Sequence, residues 1–221
     1  MKFETIKYKF DSPTEKEILK NSKKFYKNII KRRSVREFSK KKINKEVIIN
    51  AMLAAGSAPS GANLQPWHFV IIENKKIKKL IRKAAEKEEK DFYEYKAPQE
   101  WLDALKPLGT DSNKKFIEDA PILIAIFEKK LTIENNKKIK NYYVKESVGI
   151  ATGILISCLH YAGLSMLTHT PSPMIFLNKI LKRPLNEKPF VLLIVGHPDK
   201  NCKIPKFAIQ KKGIEEITTW Y

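Results

Sequence analysis

Apolar residues recur along this chain in two rhythms. Between 16 and 33, Ile18, Leu19, Phe25, Ile29 and Ile30 fall at roughly helical spacing, and 44–55 repeats the pattern until Gly56-Ser57-Ala58-Pro59 breaks it. WHFVIIE (67–73) is short, apolar and unbroken, the pattern of a buried strand, and KKIKKLIRKAAEKEEK (75–90) reads as an amphipathic helix. PILIAIF (121–127), LSMLTHT (164–170) and FVLLIVG (190–196) predict three further strands. Between them, 143–163 is apolar on most faces and predicts a long central helix, on which Gly149 and Gly153 imply close packing of a neighbour. Strands alternating with helices predict an α/β or α+β arrangement. No repeat or low-complexity tract interrupts it, so a single domain over 1–221 is expected.

One stretch breaks the rhythm. From Glu86 to Lys115 there is no Val or Ile, yet Phe92, Tyr93, Tyr95 and Trp101 stand among Glu, Lys and Asp. Such a segment buries little aliphatic surface by itself. It reads either as an exposed helical hairpin or as a lid that closes over something.

Charge and composition narrow the classes. Forty-three Lys and Arg against 24 Asp and Glu give a net charge of +19. The lysines are spread along the whole chain, the pattern of a solvated coat more than of a nucleic-acid face. A non-catalytic anion or nucleic-acid binder remains a rival reading, with no nucleic-acid partner expected. Cys158 and Cys202 are too few for a disulfide framework or a four-ligand zinc site, and His68, His160, His169 and His197 lack metal-ligand spacing. No apolar run approaches the roughly 18 residues of a membrane span. MKFETIKYKFDS has no apolar core for export, so a soluble, cytoplasmic protein is expected.

Neither the glycine-rich dinucleotide fingerprint nor the P-loop is present. Two segments carry chemistry instead. Lys31-Arg32-Arg33-Ser34-Val35-Arg36 gathers guanidinium forks and a hydroxyl, which suit phosphate and carbonyl oxygens, though a basic helix terminus would look the same. Ala58-Pro59-Ser60-Gly61-Ala62-Asn63-Leu64-Gln65-Pro66-Trp67 combines small residues that admit close backbone approach with polar side chains before a strand, though a proline-bounded turn would read alike.

Together these segments resemble the FMN-dependent nitroreductase superfamily. The likeness extends over nearly the whole chain through EEKDFYEYK, DAPILIAIF, YYVKESVGIATGIL, AGLSMLTHTPSP and RPLNEKPFVLLIVGHP, and narrows to the iodotyrosine deiodinase branch. It implies an α+β nitroreductase-like fold, a mixed central sheet flanked by helices, in an intertwined homodimer with FMN at the interface. Animal deiodinases carry an N-terminal membrane anchor, whereas this chain begins almost at the catalytic domain and resembles a soluble homologue. By resemblance, Arg32, Arg33, Ser34, Val35 and Arg36 contact the flavin's phosphate, ribityl chain and ring edge, and Ser60 adds another contact. Thr168, His169 and Thr170 match a stretch along the ring. Thr170 takes the place of the catalytic hydroxyl donor to flavin N5, which favours single-electron steps, while His169 stands where the family has threonine. Lys211 aligns with a phosphate-contacting arginine and keeps the charge without the fork.

The substrate signature is the discriminating one. Deiodinases clamp the amino-acid end of a halotyrosine with Glu, Tyr and Lys, and Glu89, Tyr93 and Lys114 match them. The chemistry stands independently, because an α-ammonium needs a carboxylate and an α-carboxylate needs a lysine and a phenol. Glu89 and Tyr93 are four apart, hence on one helical face, and they fall in the aliphatic-poor segment, which places a mobile lid around 86–115. Ala62 matches a position whose N–H contacts the substrate phenolate. The resemblance implies reductive dehalogenation of halotyrosines to tyrosine and halide. A generalist NAD(P)H-dependent FMN nitroreductase or quinone reductase is the alternative within the same fold.

Overall fold

The computed structural model describes residues 3–134 and 137–221, and the chain divides into two units, one ending at Arg32 and the other spanning 33–221. The first unit holds helix α1 (Glu15–Ile29). Thr14 caps it in a reciprocal box, its hydroxyl accepting from the Glu17 N–H while the Glu17 carboxylate accepts from the Thr14 N–H at 2.8 Å.

The second unit is built on four strands, β1 (Trp67–Ile72), β2 (Ile122–Lys129), β5 (Ser165–His169) and β6 (Glu187–Gly196), in the order β1-β2-β6-β5. Each lies within a residue or three of its apolar run. All three pairings are antiparallel. Among the described residues, the mixed sheet that the resemblance implies is mixed through one parallel bridge, Ser34 to Met166, where the 33–36 segment lies along the free edge of β5. The central strands β2 and β6 are buried on both faces, which is why they read as continuous apolar runs instead of alternating ones.

Helices cover both faces. Ile122, Ile124, Ile126, Leu193 and Val195 pack against Ala51 and Ala55 of α2 (Lys45–Gly56) and Val148, Leu155 and Leu159 of α6 (Val144–Tyr161). Leu123, Ala125, Phe127 and Ile194 face the other way, against Ile81 and Ala85 of α3 (Lys75–Asp91), Ile117 of α5 (Phe116–Asp119) and Leu177 of α7 (Phe176–Ile180). Alternation along β2 and β6 thus supplies two cores from one sheet. Asn44 and Asn74 start α2 and α3, each side-chain oxygen accepting a first-turn N–H at 2.9 Å.

The segment from 86 to 115 is not a regular hairpin. It comprises the end of α3, one π-helical turn closed by the Ala97 N–H on the Phe92 carbonyl, the short α4 (Gln99–Leu105) and a 3₁₀ turn ending at left-handed Gly109. A small two-stranded sheet, β3 (Leu131–Glu134) with β4 (Lys137–Lys140), has no counterpart in the sequence pattern, since three of four β4 residues are lysines. The last helix, α8 (Ile214–Ile217), is a single turn. Among the described residues no helix is long and apolar enough to cross a membrane.

Candidate active site

The site forms where β5 ends, on the α3 side of the sheet. The Val35 N–H donates to the Met166 carbonyl at 3.2 Å, which lays Arg33, Ser34 and Arg36 along the edge of β5. Val35 itself turns into the core. Beyond Met166, Thr168 is exposed, His169 is buried, and Thr170 is again exposed just past the strand, as strand alternation requires. Arg36, Thr168, His169 and Thr170 share a cavity of about 250 Å³ with Glu89, Tyr93 and Lys114. That is below the roughly 300–1,000 Å³ of drug-sized pockets and suits a ligand the size of one amino acid.

Glu89, Tyr93 and Lys114, the residues matched to the substrate clamp by resemblance, meet each other. Lys114 Nζ lies 3.0 Å from Glu89 Oε2, 5.7 Å from the centre of the Tyr93 ring, and donates to the Asp111 carbonyl. Tyr93 donates its hydroxyl to Thr110 Oγ1 at 2.9 Å. Burial raises the Tyr93 pKa, and the Glu89 carboxylate adds to the shift, so the phenol keeps its proton. Desolvation pulls the Arg36 pKa below its ordinary value, while Tyr93 and Asp111 pull the other way. His169 is the most perturbed group. Burial, with cationic Lys114 and Arg36 nearby, lowers its pKa to about 3, so the imidazole is neutral.

A brace behind the clamp holds Lys114 in place. Glu86 Oε1 accepts from the Lys114 N–H at 2.8 Å and from Arg82 Nε at 2.7 Å, and Arg82 also donates to Asn113 Oδ1 at 3.1 Å. Neither Arg82 nor Glu86 was singled out from sequence. The available signal was their spacing, since 82, 86, 89 and 93 lie on one helical face.

Other candidate residues fall elsewhere. Ser60 and Ala62 belong to the loop packed on the first turn of α6, across the sheet from the cavity. There the Gly61 N–H donates to Ser147 Oγ, and a Cβ on Gly61 would stand 2.9 Å from the Tyr142 carbonyl oxygen. Ala62, Asn63 and Gln65 all have positive φ, with Ser60 Oγ accepting from the Gln65 N–H at 2.9 Å to hold the turn. Strained non-glycine backbone of this kind persists where surrounding structure enforces it, often at functional sites. Lys211 is exposed, its Nζ donating to the Ala208 carbonyl at 3.3 Å, and does not line the cavity. Arg32 closes the first unit, its N–H donating to the Ile29 carbonyl.

Residues 29–197 match the family model described as Nitroreductase family. An iodotyrosine deiodinase of Haliscomenobacter hydrossis is 50% identical over 198 residues, covering 89% of each chain. The chain belongs to the nitroreductase family, in its iodotyrosine deiodinase branch. Human iodotyrosine deiodinase 1 is 40% identical over 218 residues, covering 97% of this chain and 74% of its own. Among solved structures of the branch, oxidized iodotyrosine deiodinase bound to FMN and 3-iodo-L-tyrosine superposes with a TM-score of 0.70 at 35% identity, covering 80% of this chain and 90% of that one. A BluB-like flavoprotein from Clostridium difficile 630, 22% identical with a TM-score of 0.66, shares the nitroreductase fold.

Proposed function

We propose that this chain is an FMN-dependent oxidoreductase that reductively dehalogenates halotyrosines. The observation that carries the reading is the convergence of Glu89, Tyr93 and Lys114 with Arg36 and Thr170 on one amino-acid-sized cavity. An anionic and a cationic side chain side by side match a zwitterion, and nothing in a nitroaromatic or a quinone calls for such a pair.

The donor set also fits the flavin. Arg33, Ser34 and Arg36 line up beside Thr168 and Thr170 through the pairing of the 33–36 segment with β5. Guanidinium forks with hydroxyls and backbone N–H groups suit a ligand rich in phosphate and carbonyl acceptors. When bound, FMN supplies the two electrons that, with one proton, convert a carbon–halogen bond to carbon–hydrogen and free halide. The protein's part is to hold the reactants. Glu89 takes the α-ammonium, Lys114 and Tyr93 take the α-carboxylate, and the Thr170 hydroxyl bonds the flavin edge. Closure of the 86–115 segment excludes water.

A homodimer completes the site. Supporting this, Ser60 and Ala62 stand across the sheet from the cavity of their own chain, so a second copy is needed to bring them to a ligand. Gly149 and Gly153 have open space where a Cβ would be, with Ile150, Ile49 and Leu53 exposed on α6 and α2. Both cysteines are free thiols, in keeping with a cytoplasmic location.

The test is a single anaerobic turnover. Flavin-loaded, reduced protein mixed with 3-iodo-L-tyrosine is expected to release iodide and tyrosine in equal amounts and to sediment as a dimer. Oxidation of the flavin by nitroaromatics without iodide release from iodotyrosine would favour the generalist reductase.

A further inference from the structure

His169 forms part of the cavity wall with only 7% of its surface exposed. Its ring stands edge-on to Phe116, centroids 5.7 Å apart, which fixes the plane of the imidazole. Nδ1 lies 4.0 Å from Glu89 Oε1, and Nε2 is buried with no hydrogen-bond partner among the described residues. A neutral imidazole has one N–H to place. On Nε2 that proton would be buried without an acceptor. On Nδ1 it faces a carboxylate, so the surroundings select the Nδ1–H tautomer.

The 4.0 Å separation exceeds the roughly 2.7–3.2 Å of an N–H···O bond. The other Glu89 oxygen is held by Lys114 at 3.0 Å. A zwitterion has to take both partners of that ion pair: its carboxylate draws Lys114 away, and its ammonium occupies one Glu89 oxygen. The second oxygen then needs a donor that does not follow the ligand.

We propose that His169 is a positioning residue, its Nδ1–H engaging Glu89 Oε1 once Lys114 turns to the ligand, so that the carboxylate stays aimed at the ammonium. The role deepens the halotyrosine reading and rests on it. Neutrality suits the task, because a third cation beside Glu89 would compete with the ammonium for the same oxygens. Burial between Lys114 and Arg36 keeps the ring uncharged, and β5 with Phe116 keeps it in place.

The test uses FMN-loaded wild type, His169→Leu and His169→Asn, titrated calorimetrically with 3-iodo-L-tyrosine and with 2-iodophenol. Leucine fills the space without a donor. Asparagine is neutral and places its amide N–H near the position of Nδ1. His169→Leu is expected to raise the 3-iodo-L-tyrosine Kd on the order of tenfold, the loss of one hydrogen bond to a charged group. His169→Asn should restore it to within about threefold, and at equal flavin occupancy the leucine variant should weaken 3-iodo-L-tyrosine more than it weakens 2-iodophenol. Wild-type affinity in the leucine variant overturns the role, as does an asparagine variant as weak as leucine. A loss of 2-iodophenol affinity by the same factor as 3-iodo-L-tyrosine would overturn the role and make His169 a packing residue instead. Failure of wild type to bind 3-iodo-L-tyrosine overturns this role together with the dehalogenase reading, whereas tight wild-type binding with an indifferent leucine variant overturns the His169 role alone.

Discussion

Glu89 and Lys114 expose 14% and 7% of their side chains, so their ion pair is nearly dry. Two charges in such a place offset their desolvation only while they remain together. Lys114→Ala leaves the Glu89 carboxylate facing a neutral histidine, and a loss of about 3–5 kcal/mol of stability is expected. Glu89→Gln should cost less, since Lys114 keeps the Asp111 carbonyl. The double variant should lose clearly less than the sum, because it leaves no unpaired charge behind. Urea denaturation of the four proteins measures this, and strictly additive losses would mean that the pair is not coupled. His169 adds a pH dependence of definite sign. Its pKa falls from 6.5 unfolded to about 3 folded, so across that window the unfolded chain binds the extra proton. Its contribution is complete above about pH 6.5 and declines as pH drops toward 3. His169→Asn, which does not titrate, should flatten the acid limb of the stability curve between pH 6 and about 4 relative to wild type. Equal slopes would show that the buried imidazole charges freely.

Helix α3 links core to site. Its inner face carries Ile81 and Ala85 into the sheet packing, while Arg82, Glu86 and Glu89 reach the loop that presents Lys114. After Asp91 the helix loosens into the π turn, which is held by aromatic edges, with Phe92 against Trp101 at 5.0 Å and against Tyr93 at 5.4 Å. A segment with so few buried aliphatic contacts opens at low cost. Trypsin should therefore cut after Lys96, which precedes Ala97, in the FMN-loaded protein and be slowed severalfold by saturating 3-iodo-L-tyrosine. Equal cleavage rates would argue that the segment is a fixed wall and not a lid. The elements of the core were legible because their apolar runs match their burial, as β2 and β6 do on both faces. The form of the 86–115 segment was not, since its aromatic and charged residues fit a hairpin as well as a π turn and a short helix. The β3–β4 pair escaped for the same kind of reason, because lysine at 137, 138 and 140 gives no buried face to detect.

At the scale of the whole molecule, one sheet supplies two cores, and its β5 edge receives the 33–36 segment. The arginine-rich segment was legible as chemistry, but its pairing with Met166 depends on β5 lying at the sheet margin, which no local pattern encodes. Likewise the resemblance marked Glu89, Tyr93 and Lys114 as one set, without the contact between Glu89 and Lys114. Their direct contact depends on the turn through Asp111 and on the Glu86 brace. The central claim is that this pair, with Tyr93, selects the amino-acid end of a halotyrosine. It is tested most directly by the affinities of FMN-loaded wild type, Glu89→Gln and Lys114→Ala for 3-iodo-L-tyrosine and 2-iodophenol. Losing one charge-assisted contact of roughly 2–3 kcal/mol should weaken 3-iodo-L-tyrosine about 30- to 150-fold in each variant. 2-Iodophenol, which lacks the zwitterion, should bind weakly to all three and nearly alike. Unchanged 3-iodo-L-tyrosine affinity in both variants, or wild-type binding of 2-iodophenol as tight as that of 3-iodo-L-tyrosine, would contradict the claim.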